Sequence, residues 1–301
     1  MKVVVSGGQG FIGQYTVREL ISRGHKVIIF DTRDLNVRPE GSEFALGDIR
    51  DAVSVTEAFA HADAFIHLAG VLGTQETIKN PTPAAETNIL GGLNILKAAA
   101  QYGVPGVNIA VGNYWMNNTY SISKNTIERF VAMFNKECGT QINIVRPTNC
   151  FGPGQTSFPP YGSSKVKKIT PAFINAAIRN EPIGIYGDGM QISDMIFVED
   201  VAKVLATAME HAVDGKIYST PFEVGYGEPI TVNEVAKTVI RVAGSSSVLE
   251  HSPMRPGEEV GGVVLANPNT LSPLGISKAD FVSLEDGLKR TVAWFKETQG
   301  V

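Results

Sequence analysis

The chain has 301 residues, 43% hydrophobic and 19% charged, with a formal net charge of −4, the balance of a soluble globular protein with one large domain or two modest ones. The acidic surplus gives no basic field for a nucleic-acid backbone, which excludes nucleic acid as a partner. No apolar run approaches the roughly 20 residues that span a bilayer, and "MKVVVSGGQGFIG" has no signal-peptide pattern, so no membrane partner and a cytoplasmic setting are expected. In chain order, KVVVS (2–6), KVIIF (26–30), AFIHLA (64–69), VNIAV (107–111) and INIVR (142–146) read as buried strands. Residues 11–23, 51–61, 81–101 and 120–138 carry helical periodicity between them. Fully apolar strands alternating with helices predict an α/β fold built on a doubly wound parallel sheet. After Asn149, "FGPGQTSFPPYGSSKVKK" reads as a long loop. Helices at 169–180, 199–212, 231–243 and 285–298, with short strands near 183–186, 217–224 and 248–250, then predict a smaller mixed α/β lobe. The expected division is 1–150, with 190–212 returning to it, and 151–301.

Cys138 and Cys150 are too few for a disulfide framework, and His25, His61, His67, His211 and His251 show no ligand spacing, so no metal is expected.

"VVVSGGQGFIG" sets Gly7, Gly10 and Gly13 directly after the first strand and at the mouth of the first helix, with Phe11 and Ile12 between. Glycine serves there for the tight turn, the approach of backbone to a pyrophosphate, and close helix–strand packing. The helix N-terminus adds free N–H groups and a positive dipole end. Asp31 closes the second strand 18 residues beyond Gly13, where a carboxylate binds ribose hydroxyls and repels a 2′-phosphate, favouring NAD. Arg33 suits that phosphate and keeps NADP open. In "GDIRD", Asp48 and Ile49 end a further strand where adenine would rest; the rival role for Asp48 is a cap for the helix that starts near Asp51. Tyr120 and Lys124 stand four apart after Asn118, on one face if that segment is helical, so an ammonium would act on a phenol.

With the glycine loop, "HLAG" (67–70), "NILGGLN" (88–94), "YSISK" (120–124), "RPTNCFGPG" (146–154), "GIYGDGMQISDMIFVEDVA" (184–202) and "RPGE" (255–258) in order, the chain resembles the extended short-chain dehydrogenase/reductases. More narrowly, it is similar to the NAD-dependent nucleotide-sugar epimerases and dehydratases. The resemblance runs nearly end to end and implies a Rossmann-type NAD domain, a UDP-, TDP- or GDP-linked sugar between the lobes, and a homodimer formed through helices 81–101 and 120–138. It also implies hydride removal at sugar C4, with Tyr120 as base, Lys124 and the cationic nicotinamide ring together lowering the phenol pKa, and Lys124 bonding the nicotinamide ribose. Leu68, Ala69 and Gly70 would pass close to the cofactor and Asn88 would steady the adjoining helix. Asn149 and Arg255 would hold the diphosphate or sugar, Glu258 the nucleoside ribose, and Thr74 would line the substrate site.

Three departures stand out. Family members carry a Ser or Thr just after the fifth strand, whereas this chain has Ala110, Val111 and Gly112, leaving Asn113 as the nearest donor. Tyr120 follows only nine positions after Val111, where the family has a longer insertion, and "VGNYWMNNT" holds no carboxylate for a dehydratase or decarboxylase. Glu76 is the substitute acid such a reaction would need. Ser193 stands where the family often has Arg, with Lys165, Lys167 or Lys168 as replacements. The expected reaction is therefore 4-epimerisation. A dehydratase or ketoreductase, or a cofactor-binding sensor without turnover, is the alternative.

Overall fold

The computed structural model of the chain describes residues 1–35, 38–156 and 168–300; Lys165 and Lys167 lie outside the described residues. The first half runs β1 (Lys2–Ser6), α1 (Phe11–Ser22), β2 (Lys26–Asp31), β3 (Ser42–Leu46), α2 (Ala52–Phe59), β4 (Ala64–His67), α3 (Thr74–Lys79) and α4 (Thr82–Ala84). A π-helical stretch, Ala85–Gly91, leads into α5 (Gly92–Tyr102), then β5 (Gly106–Ile109), α6 (Thr119–Glu137) and β6 (Ile142–Pro147). The second half is β7 (Asn149–Phe151), α7 (Ile169–Ile178), β8 (Ile183–Tyr186), β9 (Ile192–Ser193), β10 (Met195–Phe197), α8 (Val198–Val213), β11 (Phe222–Val224), α9 (Val232–Ala243), β12 (Leu249–Ser252), β13 (Val263–Val264) and α10 (Leu284–Gln299).

Seven strands form one parallel sheet in the order β11-β6-β5-β4-β1-β2-β3. Its central strands are apolar at nearly every position because helices cover both faces. On one face Val17 and Leu20 of α1 and Val201, Leu205 and Met209 of α8 join the core. On the other, Val55 and Phe59 of α2, Ile95 and Leu96 of α5, and Ile127 and Val131 of α6 do so. The chain works outward from β1 to β3, then returns to β4 on the other side of β1, and loops at that reversal splay apart to leave a crevice.

A third core gathers Phe173 and Ile174 of α7, Val235 and Val239 of α9, and Leu288, Val292 and Phe295 of α10. Beside it stand the parallel pairs β7–β10, β8–β12 and β9–β13. Asp194, between β9 and β10, is fully buried and accepts the N–H groups of Tyr226 (2.9 Å), Gly227 (3.0 Å) and Ala266 (3.0 Å). That carboxylate joins three chain segments.

The helix expected over 81–101 is interrupted. The π-helical turn sets Asn88 against the loop after β4, where its Oδ1 accepts Val71 N–H (2.7 Å) and its Nδ2 donates to Val71 O (3.0 Å) and Ser123 Oγ (2.9 Å). Such bulges re-aim single side chains and concentrate at functional sites.

Candidate active site

A cleft of about 1840 Å³ opens at the crevice and runs to residues of the C-terminal half. At one end lies the glycine loop. Gly7 has φ +75°, and a Cβ there would meet Ala69 N at 2.7 Å; a Cβ on Gly13 would meet Gly7 O at 2.2 Å. Backbone packs on backbone, so only glycine fits. Gly10 starts α1 with no side-chain cap, and the first turn holds no acidic residue. Gly10, Phe11, Ile12 and Gly13 line the cleft, so the first-turn N–H groups border an anion site.

Asp31 is buried, its Oδ2 accepting Gln9 N–H (3.1 Å) and its Oδ1 accepting Thr32 N–H (2.8 Å). Burial pushes its carboxyl up, against the pull of those N–H groups and of Arg33. Arg33 itself is exposed and does not border the cleft. Asp48 and Ile49 do; Arg50 clamps Asp48 (Nε–Oδ2 2.9 Å) and holds its carboxyl below the usual range. The helix cap considered for Asp48 belongs to Asp51, whose side chain accepts Val53 N–H at 3.0 Å. Sequence reasoning missed Gln9. It is 3% exposed and borders the cleft, and neither polar atom of its side chain has a hydrogen-bond partner among the described residues. A buried amide is seldom left so, which marks a place for ligand polar atoms.

Leu68, Ala69 and Gly70 form the adjoining wall. Beneath them His67, 1% exposed, shares a 2.6 Å hydrogen bond between its Nδ1 and Ser6 Oγ. Burial and the nearby Lys124 push the imidazole down to about 3, so it is neutral.

Tyr120 and Lys124 occupy one face of α6, which starts where Asn118 Oδ1 accepts Ser121 N–H (2.9 Å). Both border the cleft. Burial pushes the phenol up and the ammonium down to about 8, with Glu128 pulling the ammonium back up. Burial alone accounts for the raised phenol, whereas the lowering expected from Lys124 is tied to a cationic nicotinamide ring beside it.

The remaining expected residues divide. Asn113 borders the cleft, but its Nδ2 donates to Met116 Sδ (3.4 Å). Beside it, a Cβ on Gly112 would meet Thr148 Cα at 3.1 Å and Cγ2 at 3.3 Å; Thr148, which sequence reasoning missed, borders the cleft with its Oγ1 donating to Val224 O (3.2 Å). Asn149 borders the cleft with its Nδ2 bonded to Ser193 Oγ (2.9 Å) and Asp194 O (3.2 Å). Arg255 and Glu258 also border it but are paired with each other (Nε–Oε2 3.2 Å), and the guanidinium lies 4.5 Å from the Tyr186 ring centroid. Lys168 borders the cleft near Cys150; burial pushes the ammonium down and the thiol up. The side chains of Thr74 and Glu76 lie outside the described residues. No cluster of metal-ligating residues occurs among the described residues, and no helix there is long and apolar enough to cross a membrane.

The sequence profile described as "NAD dependent epimerase/dehydratase family" matches residues 3–220. The chain belongs to that family. It is an NAD-dependent enzyme, and the glycine cradle, the N–H groups of α1 and the unpartnered Gln9 amide fit such a cofactor. A UDP-N-acetyl-alpha-D-glucosaminuronate decarboxylase of Bacillus cytotoxicus is 27% identical over 328 aligned positions, covering 99% of this chain and 98% of that one. A putative UDP-glucose 4-epimerase of Methanocaldococcus jannaschii is 28% identical over 316 positions, covering 98% of both. Among solved structures, the UDP-glucose 4-epimerase of Thermotoga maritima with UDP-glucose superposes with a TM-score of 0.87 at 27% identity, covering 99% of this chain and 100% of that one.

Proposed function

We propose that the enzyme is a nucleotide-sugar 4-epimerase in which Tyr120 is the base at the sugar 4-hydroxyl. The observation that carries this reading is the pairing of Tyr120 and Lys124 on a cleft wall whose neighbouring segment, Ala110–Asn118, brings no carboxylate. Dehydration and decarboxylation each call for a further acid or base near the sugar ring, whereas epimerisation needs one proton acceptor and room for the sugar to turn. Relatives named for UDP-sugars support a nucleotide-sugar as substrate.

Gly7, Gly10 and Gly13 with the α1 N–H groups would hold the pyrophosphate of NAD, Asp31 the adenosine ribose, Asp48 and Ile49 the adenine edge, and Lys124 the nicotinamide ribose. Bound NAD supplies the hydride acceptor and donor together with a positively charged ring. Tyr120 Oη would take the proton from the 4-hydroxyl and later return it to the C4 oxygen. Lys124 stabilises the phenolate by its charge. Asn113, released from Met116, donates its amide N–H to the reacting oxygen, while Arg255 leaves Glu258 for the diphosphate and Glu258 turns to the nucleoside ribose. Lys168 adds a second cation for the diphosphate. The enzyme works in the cytoplasm as a homodimer, supported by Leu90, Tyr102, Ile122 and Met133, large apolar side chains left exposed between residues 82 and 137.

The test is incubation with UDP-, TDP- and GDP-sugars, with products followed by mass and NMR. An isobaric C4 isomer supports the proposal, and a product lighter by water or carbon dioxide rejects it.

A further inference from the structure

The face of α6 that carries Tyr120 and Lys124 continues to Glu128, so three ionisable side chains stand at i, i+4 and i+8. Lys124 is 4% exposed and Glu128 7%. From β6, Arg146 grips Glu128 through its Nε (2.8 Å to Oε2) and its Nη2, which donates to Oε1. Arg146 reaches Glu223 of β11 at 3.5 Å and lies 3.9 Å from the ring centroid of Tyr114. Tyr114 belongs to the short segment between β5 and α6 that lacks the family's hydroxyl and insertion. That segment is thus anchored to a row of buried charges ending at Lys124.

We infer that Glu128 and Arg146 are positioning residues of this site: Glu128 keeps Lys124 in its charged form, and Arg146, held by Glu223 and stacked on Tyr114, fixes Glu128. The inference rests on the reading that a charged Lys124 serves Tyr120 and the cofactor ribose. Buried and half-buried groups bear on it: Tyr120 and Glu128 on α6, neutral His67 with Ser6 on β4 and β1, Arg146 on β6 and Glu223 on β11. α6 also packs against α3, the π-helical stretch and α5, whose Lys79, Glu86 and Lys97 are exposed to water. Among the buried and half-buried groups only Glu128 and Glu223 carry carboxylates, and only Glu128 adjoins Lys124 along the helix. Removing its charge withdraws the attraction and leaves the Arg146 charge less balanced, and both changes favour the neutral amine.

The experiment measures the pH dependence of NAD affinity by calorimetry, and of kcat/KM, for wild type, Glu128→Gln, Glu128→Asp and Glu223→Gln. The Lys124 ammonium is pushed down to about 8, so NAD affinity holds below that pH and falls as pH rises through it, and kcat/KM, which on its acid side follows the ionisation of Tyr120, loses its alkaline limb over the same range. Glu128→Gln moves the limb toward acid by roughly one pH unit, Glu128→Asp restores most of it, and Glu223→Gln gives a smaller shift of the same sign. Should Glu128→Gln not fold, Glu128→Asp and Glu223→Gln carry the comparison. A limb that stays in place while the melting temperature drops makes the row merely structural and overturns the inference. A wild-type NAD affinity flat through that pH range overturns the Lys124 reading beneath it, and the inference with it.

Discussion

Gly13→Ala isolates the cofactor cradle. A Cβ at Gly13 would lie 2.2 Å from Gly7 O, 2.7 Å from Gly8 Cα and 2.8 Å from Gly8 C, all backbone atoms, whereas ordinary contact starts at 3.4 Å. The start of α1 must therefore withdraw by about 1 Å, against Val17 and Leu20, which are fully buried on that helix. Overpacking of this kind costs about 1–3 kcal/mol, or more where backbone must move, while the helix gains about 1 kcal/mol from replacing glycine by alanine. At the upper end of that cost the expected net loss is about 2 kcal/mol, a fall in Tm of roughly 3 °C for a chain of this size. NAD affinity should fall at least tenfold, because the displaced N–H groups no longer converge on phosphate. The assay pairs thermal melting with NAD titration and uses Gly10→Ala as comparison, where the nearest atom to the new Cβ is Gly7 O at 3.1 Å and stability should drop far less. Wild-type melting and wild-type NAD affinity in Gly13→Ala would refute the close-approach argument.

Tyr120→Phe should lower turnover by about 10²–10⁴-fold, the range for a lost general base, with NAD affinity within a few fold of wild type; unchanged turnover removes Tyr120 from the chemistry. Asn88→Ala strips hydrogen bonds from both polar groups of Val71 and from Ser123, costing about 2–3 kcal/mol, and an unaltered melting curve contradicts this. His67 should set part of the acid stability, since burial and Lys124 push its folded pKa down to about 3 from the ordinary 6.5. The unfolded chain then binds the extra proton between those values, so stability rises with pH through that window and is lost as pH falls. At about 1.4 kcal/mol per unit, roughly 2 kcal/mol should vanish between pH 6.5 and 5. His67→Asn should flatten that limb of the melting profile, and an equal slope in both proteins counts against the buried neutral imidazole.

The parallel sheet was legible because five of its seven strands are continuous apolar runs with helical segments between them, a pattern that burial on both faces imposes. β3, reading SEFAL, was met only through the Asp48–Ile49 segment that follows it, and edge strands with charges carry no comparable signal. Among the short pairs, β8 and β12 match the strands expected near 183–186 and 248–250, whereas β7, β9, β10 and β13 have only two or three residues each, too few to display an alternation. In the site, the glycine loop, Asp31, Tyr120 and Lys124 could be found because spacing along the chain fixes their placement. Glu128 shared that signal, four residues beyond Lys124 on the same face. Arg146 and Thr148 depend on contacts across distant segments and could not be found that way, and Gln9 stands in the glycine loop, but only its burial without a partner marks it. The burial that raises the phenol was not legible, because a charged neighbour is visible in a sequence while the loss of water around it is not.

The central claim is that Tyr120 serves a C4 hydride exchange with no further acid. It is tested most directly by supplying a nucleotide-sugar deuterated at C4 and reading both epimers by NMR and mass spectrometry. The account predicts an isobaric product with inverted C4 that keeps its deuterium, and no such product from Tyr120→Phe. A product lighter by water or carbon dioxide, or inversion undiminished in Tyr120→Phe, would contradict it.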